Sequence, residues 1–153
     1  MSIRDLVLAP STLAARVFNP FQSLVTLAAR LYVSWQFLDA GFGKITRWDS
    51  TVLLFENEYH TPYLSPHSAA DAGTFGELFF PTLLVLGLFG RLSAMGLFCV
   101  NALAVVSYSR VLPAEGSEAA LGQHILWGTM LIFIIVFGPG KISTDHLLVR
   151  SRL

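Results

Sequence analysis

The chain has 153 residues, of which 54% are hydrophobic and only 13% charged, with a formal net charge of zero. A soluble domain carries about 25% charged residues; too few polar groups remain here to wet a compact globule, and the mean hydropathy of +0.60 agrees. Zero net charge without a Lys/Arg-rich run excludes a nucleic-acid footprint, and a single cysteine, Cys99, excludes an intrachain disulfide and any CxxC redox or zinc motif.

The amino end has apolar residues at 3, 6, 7, 13, 14, 17 and 18, with Arg4 and Arg16 between them. This is helical spacing, and it predicts an amphipathic segment over 2–18 lying on the membrane surface and broken at Pro10. The first apolar stretch is too short for the apolar region of a cleaved signal peptide. Four segments then approach the roughly 20 apolar residues that a bilayer core requires: 21–42, 74–89, 92–109 and 121–137. None alternates with the period of a barrel strand. The second contains Pro81, which predicts a kink, and only Gly90-Arg91 separates it from the third, so those two helices run antiparallel. The loop over 43–73 is long enough to hold short helices of its own. After the fourth segment, Gly138-Pro139-Gly140 ends the helix, and Ser143 is placed to cap a short tail helix with Asp145 in its first turn. The expectation is an all-α integral membrane four-helix bundle, one domain over 1–153, with an N-terminal amphipathic segment and a long outer loop between spans one and two.

Arg4, Arg16, Arg91, Lys141, Arg150 and Arg152 flank one side of these spans; Lys44, Arg47 and Arg110 flank the other. The excess of basic residues predicts both termini in the cytoplasm of a multi-pass protein.

Polar residues inside spans are costly and each calls for an account. At 1.5 Å per residue, Asp39, Glu77, Tyr108 and His124 fall at one level, close beneath the outer loops, with Lys44 beside them. One reading is a buried polar pocket near the outer face that binds a small head group or relays protons. The plainer alternative is a set of interfacial residues, Asp39 pairing with Lys44 and Glu77 reaching water. Arg30 lies too deep for exposure to lipid, and a clamp onto backbone carbonyls of span two or four is preferred over snorkelling. Asn101 suits an interhelical hydrogen bond, and Trp35, Trp48 and Trp127 suit an interfacial belt. One histidine inside a span is insufficient for bis-His haem in one chain, and no metal site is assigned to the outer loop.

Three stretches carry a family resemblance. Arg30-Leu-Tyr-Val-Ser-Trp-Gln-Phe-Leu-Asp39-Ala-Gly41-Phe-Gly-Lys44 resembles the first-helix signature of the DoxX family. Glu77 through Gly87-Leu-Phe-Gly-Arg91 resembles its E…G-L-x-x-R segment, and Gly138-Pro-Gly140-Lys-Ile-Ser143-Thr-Asp145, with His124 upstream, is similar to its closing motif. The resemblance implies a four-helix protein of the bacterial inner membrane, linked to membrane oxidoreductase, quinol-oxidase or oxidant- and metal-stress systems. Relatives with thiol chemistry use paired cysteines, which are absent here. The leading expectation is an integral subunit or accessory of a quinone-linked oxidoreductase system, with protein partners in a membrane complex. Asp39, Glu77 and His124 would hydrogen-bond the quinone and Lys44 would stabilise the carboxylates; catalysis by the chain itself stays open. The alternative is a non-catalytic membrane partner, or a small-solute or metal handler that would act as a homo-oligomer.

Overall fold

Helices follow one another along almost the whole chain. The computed structural model describes residues 3–59, 61, 63–107 and 118–151, with side chains described for all of these except 3–12 and 16. The elements are α1 (Ile3–Thr46), α2 (Trp48–Asn57), α3 (Pro66–Leu86), α4 (Gly90–Ser107), α5 (Glu118–Phe137) and α6 (Thr144–Arg150). Among the described residues α3, α4 and α5 are long and apolar enough to cross a membrane, with mean hydropathies of 1.2, 1.5 and 1.9. Only 17% of the apolar window of α5 is buried inside the protein, so most of its hydrophobic surface faces outward, as lipid allows and water does not. α1 is the fourth long helix; Arg30, Asp39 and Lys44 make it less apolar.

α1 packs chiefly on α3, α3 on α4, α4 on α5, and α5 closes the ring against α1. The core joins Val33 and Phe37 of α1, Leu84 of α3, Ala94 and Leu97 of α4, and Leu131 and Ile134 of α5. A smaller cluster of Phe55, Ala69 and Ala70 seats α2 on the start of α3.

The boundaries differ from those read from hydropathy. α1 continues through Pro10 and Pro20 without a break. Proline deletes one backbone hydrogen bond, and the Leu- and Ala-containing turns on either side sustain the rest of the ladder. α3 starts at Pro66 rather than near 74, because Ser65 caps it by accepting from the Ser68 N–H at 3.2 Å and Pro66 occupies its first turn. The long loop thus contracts to α2, a short connection and the first two turns of α3. Pro81 lies inside a continuous α3. The joint between α3 and α4 is the three residues 87–89, one turn earlier than Gly90-Arg91.

That joint is held with almost every backbone group assigned. Gly87 adopts the left-handed conformation (φ 68°, ψ 31°). Its N–H reaches the Leu84 carbonyl at 3.1 Å, while the Leu88 N–H reaches Leu83 at 3.0 Å, the double-bonded helix end that favours glycine. The next carbonyls are taken from outside α3. Arg30 Nε donates to Leu84 O at 2.8 Å and Nη2 to Val85 O at 2.8 Å. Thr144 Oγ1 donates to Leu86 O, and the Asp145 N–H to Gly87 O. The second arm of Arg30, Nη1, donates to Pro139 O at 2.9 Å and Ile142 O at 2.7 Å. The guanidinium is 1% exposed and bonds four carbonyls on two elements. Asp145 does more than start α6: its Oδ1 and Oδ2 accept from the Phe89 and Gly90 N–H groups at 2.8 and 2.7 Å, capping α4 from another element. Ser143 is the N-cap of α6, its Oγ accepting from the His146 N–H.

Arg30→Lys removes the planar fork that reaches two elements, and Gly87→Ala places a Cβ 2.5 Å from Arg30 Nη2 and 2.8 Å from the Ser143 Cα. Each is expected to destabilise the purified protein by about 2 kcal/mol or more. Gly122→Ala, which meets nothing within 4 Å, is expected to be nearly neutral. Thermal unfolding of the three variants in one detergent checks the order; equal midpoints would contradict it.

Candidate functional site

The opposite end of the bundle is loosely filled. Taking 1.5 Å per residue from Arg30 to Ala40, it lies ~15 Å along α1 from the clamp. A cavity of about 420 Å³ opens there between α1, α3, α4 and α5, roofed by the segment after α2. Its size is that of a small-molecule site. Phe37, Ala40, Ala69, Val100, Leu103 and Ala104 form apolar walls, and Gln36, Lys44, Glu77, His124 and Trp127 bring polar atoms to it.

Gly41 lets α1 and α3 close on each other: a Cβ there would meet Leu78 Cδ2 at 2.7 Å and Glu77 Cβ at 3.3 Å. At that separation Lys44 Nζ reaches both carboxylate oxygens of Glu77. The pair is largely enclosed, with side-chain exposures of 21% and 9%. Two of the three ammonium protons are committed to Glu77, which leaves one for a guest.

On the facing wall, Asn101 and His124 hold one another. Asn101 Nδ2 donates to the His124 carbonyl at 3.0 Å, so Asn101 Oδ1 is the acceptor facing His124 Nδ1, 2.8 Å away. That arrangement assigns the proton of a neutral imidazole to Nδ1 and leaves Nε2 as its uncommitted nitrogen. The His124 ring packs edge-on against Trp127, 5.0 Å between centroids, and Trp127 packs likewise on Phe37 at 5.5 Å. Trp127 Nε1 is buried and has no hydrogen-bond partner among the described residues. A buried unpaired donor costs about 1–3 kcal/mol, and at a cavity wall it is a natural contact for an acceptor on a ligand. At the roof, Thr61 Oγ1 and Ser107 Oγ lie 3.1 Å apart, tying the segment after α2 to the end of α4.

Of the five residues that sequence reasoning grouped, the structure brings Lys44, Glu77 and His124 to the cavity. Tyr108 lies outside the described residues. Asp39 is exposed on α1 and does not line the cavity. The reason is helical phase: Gln36, Ala40 and Lys44 recur every fourth residue on the inward face, and Asp39 points well off that stripe. Lys44 accordingly pairs with Glu77, not with Asp39. Sequence reasoning missed Trp127, which it placed in an interfacial belt. Its position three residues after His124, on the same helical face, was the available signal. Among the described residues no three metal-capable side chains gather into a site.

Residues 25–110 match the DoxX family, more than half of the chain; the protein belongs to that family. The matched region carries Arg30, Gly41, Lys44, Glu77, Gly87 and Arg91, while the closing stretch from Gly138 to Asp145 lies beyond it. The chain is also 25% identical over 128 residues to an uncharacterized protein of Haemophilus influenzae, covering 81% of this chain and 83% of the relative. No solved structure matches. The protein is therefore a helical membrane protein of the DoxX family.

Removing one partner of the enclosed ion pair leaves the other charge buried alone, a cost of about 3 kcal/mol. Lys44→Met and Glu77→Met are each expected to destabilise by that order, and the double substitution by clearly less than the sum. A double-mutant cycle of thermal unfolding in nanodiscs measures the coupling; strict additivity would show that the pair is solvated and independent.

Proposed function

We propose that the protein is an integral subunit or accessory of a quinone-linked oxidoreductase system in the bacterial inner membrane, with both termini cytoplasmic. The observation that carries the reading is the cavity: an apolar chamber inside a membrane bundle, with an ion pair on one wall and a buttressed imidazole on the other. A substituted ring bearing two oxygens fits such a chamber chemically. The third Lys44 proton and the Trp127 indole N–H supply donors, and Nε2 of His124 supplies an acceptor that becomes a donor on protonation. Ala40, Val100, Leu103 and Ala104 give the ring apolar faces. A bound quinone would supply the electron- and proton-carrying chemistry. The chain's own residues hold the ring and place exchangeable protons at Lys44 and His124, with the Glu77 carboxylate accepting from Lys44. The positive-inside bias of the basic residues supports the orientation. Electrons would have to come from a partner protein, which makes the reading one of a subunit.

The test is quinone binding to nanodisc-reconstituted protein, by extraction of co-purified lipid and by titration with a short-chain ubiquinone. Trp127→Phe, which removes the unpaired indole N–H, and His124→Ala are expected to weaken binding about tenfold each, the loss of one good hydrogen bond to a ligand oxygen. Asp39→Asn, outside the cavity, is expected to bind as the wild type does. Absence of quinone from folded wild-type protein, or equal affinity in all four proteins, would remove the proposal.

A further inference from the structure

A second concave site lies at the clamp end of the bundle, on the outside of the knot formed by residues 138–146. It is a groove of about 440 Å³ between α1 and the residues following α5. Three cationic or cation-capable side chains contribute to it: Arg91 from α4, Lys141 from the loop, and His146 from α6. Among the described residues no carboxylate lines it. The nearest acid in sequence, Asp145, has both oxygens committed to the Phe89 and Gly90 N–H groups. Neither Arg91 nor Lys141 has an ion-pair partner among the described residues, in contrast to Lys44 at the opposite end.

The groove is shaped by backbone and not only by loose surface chains. Gly138 and Gly140 both have positive φ, 87° and 82°. They fold the loop back so that a Cβ on Gly138 would meet Arg91 Nε at 3.5 Å and one on Gly140 would meet the Ser23 Cα at 3.4 Å. The Lys141 N–H donates to Ser23 Oγ at 3.1 Å, which pins the loop to α1 and aligns Lys141 with Asn19 and Gln22 on the rim. Arg91 and Lys141 both line the groove, so two cations without an ion pair among the described residues face one concavity. Next to it, exposed Phe18 and Phe21 of α1 and Phe137 at the end of α5 make an apolar border. A charged concavity beside exposed aromatic rings, at the end of a membrane-spanning helix, matches the boundary between lipid phosphates and acyl chains.

We propose that this groove binds a phosphate group, and specifically the phosphate of an anionic phospholipid, whose chains run along the Phe18, Phe21 and Phe137 side. Arg91 and Lys141 would contact the phosphate oxygens, and Asn19, Gln22 and His146 the glycerol or head-group hydroxyls. The inference goes beyond the quinone reading and is independent of it, because the two sites share no lining residue.

Native mass spectrometry of the purified protein measures retention of phosphatidylglycerol against phosphatidylcholine of matched chains. Wild type is expected to prefer phosphatidylglycerol by about thirtyfold, two basic residues at roughly 1 kcal/mol each near the lipid surface. Arg91→Gln with Lys141→Gln should abolish the preference, and the charge-preserving pair Arg91→Lys with Lys141→Arg should keep most of it. Inorganic phosphate in a parallel arm is expected neither to displace the lipid nor to raise the unfolding temperature. Displacement by millimolar phosphate, lost in the same double variant, would sustain a phosphate site and overturn its assignment to lipid. No preference in wild type, or an equal preference in the folded glutamine variant, would overturn the proposal altogether.

Discussion

The fold depends on a single buried cation that has no carboxylate bonded to it. Burying a charge costs several kcal/mol even after relaxation, yet Arg30 is enclosed by the bundle and bonded only to carbonyl oxygens. Four charge-assisted hydrogen bonds, spread over the end of α3 and the loop after α5, replace its hydration. Two of those carbonyls belong to the last turn of α3, the negative end of a helix dipole, and the Asp145 carboxylate acts on the charge at longer range. In lipid there is little hydrophobic force to press helices together, so packing and polar contacts decide which helices adjoin. Arg30 ties α1, α3 and the loop after α5 together: without it the Val85, Pro139 and Ile142 carbonyls would lose the donor it supplies, and Leu84 O would keep only the Gly87 N–H. Gly87, Ser143, Thr144 and Asp145 complete the same network, and the DoxX-like stretches converge on it from three separate parts of the chain.

The two ends of the bundle consequently differ in character. At the clamp end, backbone groups from Leu83 to Gly90 find partners and side chains are locked by them. At the other end a cavity opens between the helices, and Gly41 gives the close approach of α1 to α3 that lets Lys44 meet Glu77. Polar groups there are only partly committed: one ammonium proton, one imidazole nitrogen and one indole N–H are left over. A rigid end that sets the helix positions and an open end that keeps spare hydrogen-bonding capacity is a reasonable division for a binding protein.

Much of this was legible in the sequence, and the failures have definite causes. Composition and four apolar runs were enough for a helical membrane bundle, because lipid allows few other solutions. The depth of Arg30 was enough to suggest backbone carbonyls as its partners. Helix ends were misplaced by up to two turns, since hydropathy registers where lipid begins and not where a cap such as Ser65 starts the helix. Asp39 was grouped with Glu77 by depth alone; depth along an axis says nothing of the direction around it, and phase turns Asp39 outward. Asp145 could be read as a first-turn residue of its own helix, but its bond to Phe89 spans 56 positions, and no local pattern encodes such a contact. Trp127 was read by residue type, whereas its spacing from His124 carried the better information.

A ligand seated in the open-end cavity, as proposed, would leave the clamp end as it is. Hydrogen exchange in nanodiscs, with and without a short-chain ubiquinone, tests this without any substitution. The account predicts added protection over 36–44, 73–77 and 120–127, with 84–90 and 138–145 already slow and unchanged. Protection gained at the clamp end instead, or nowhere in a protein shown to be folded, would contradict it.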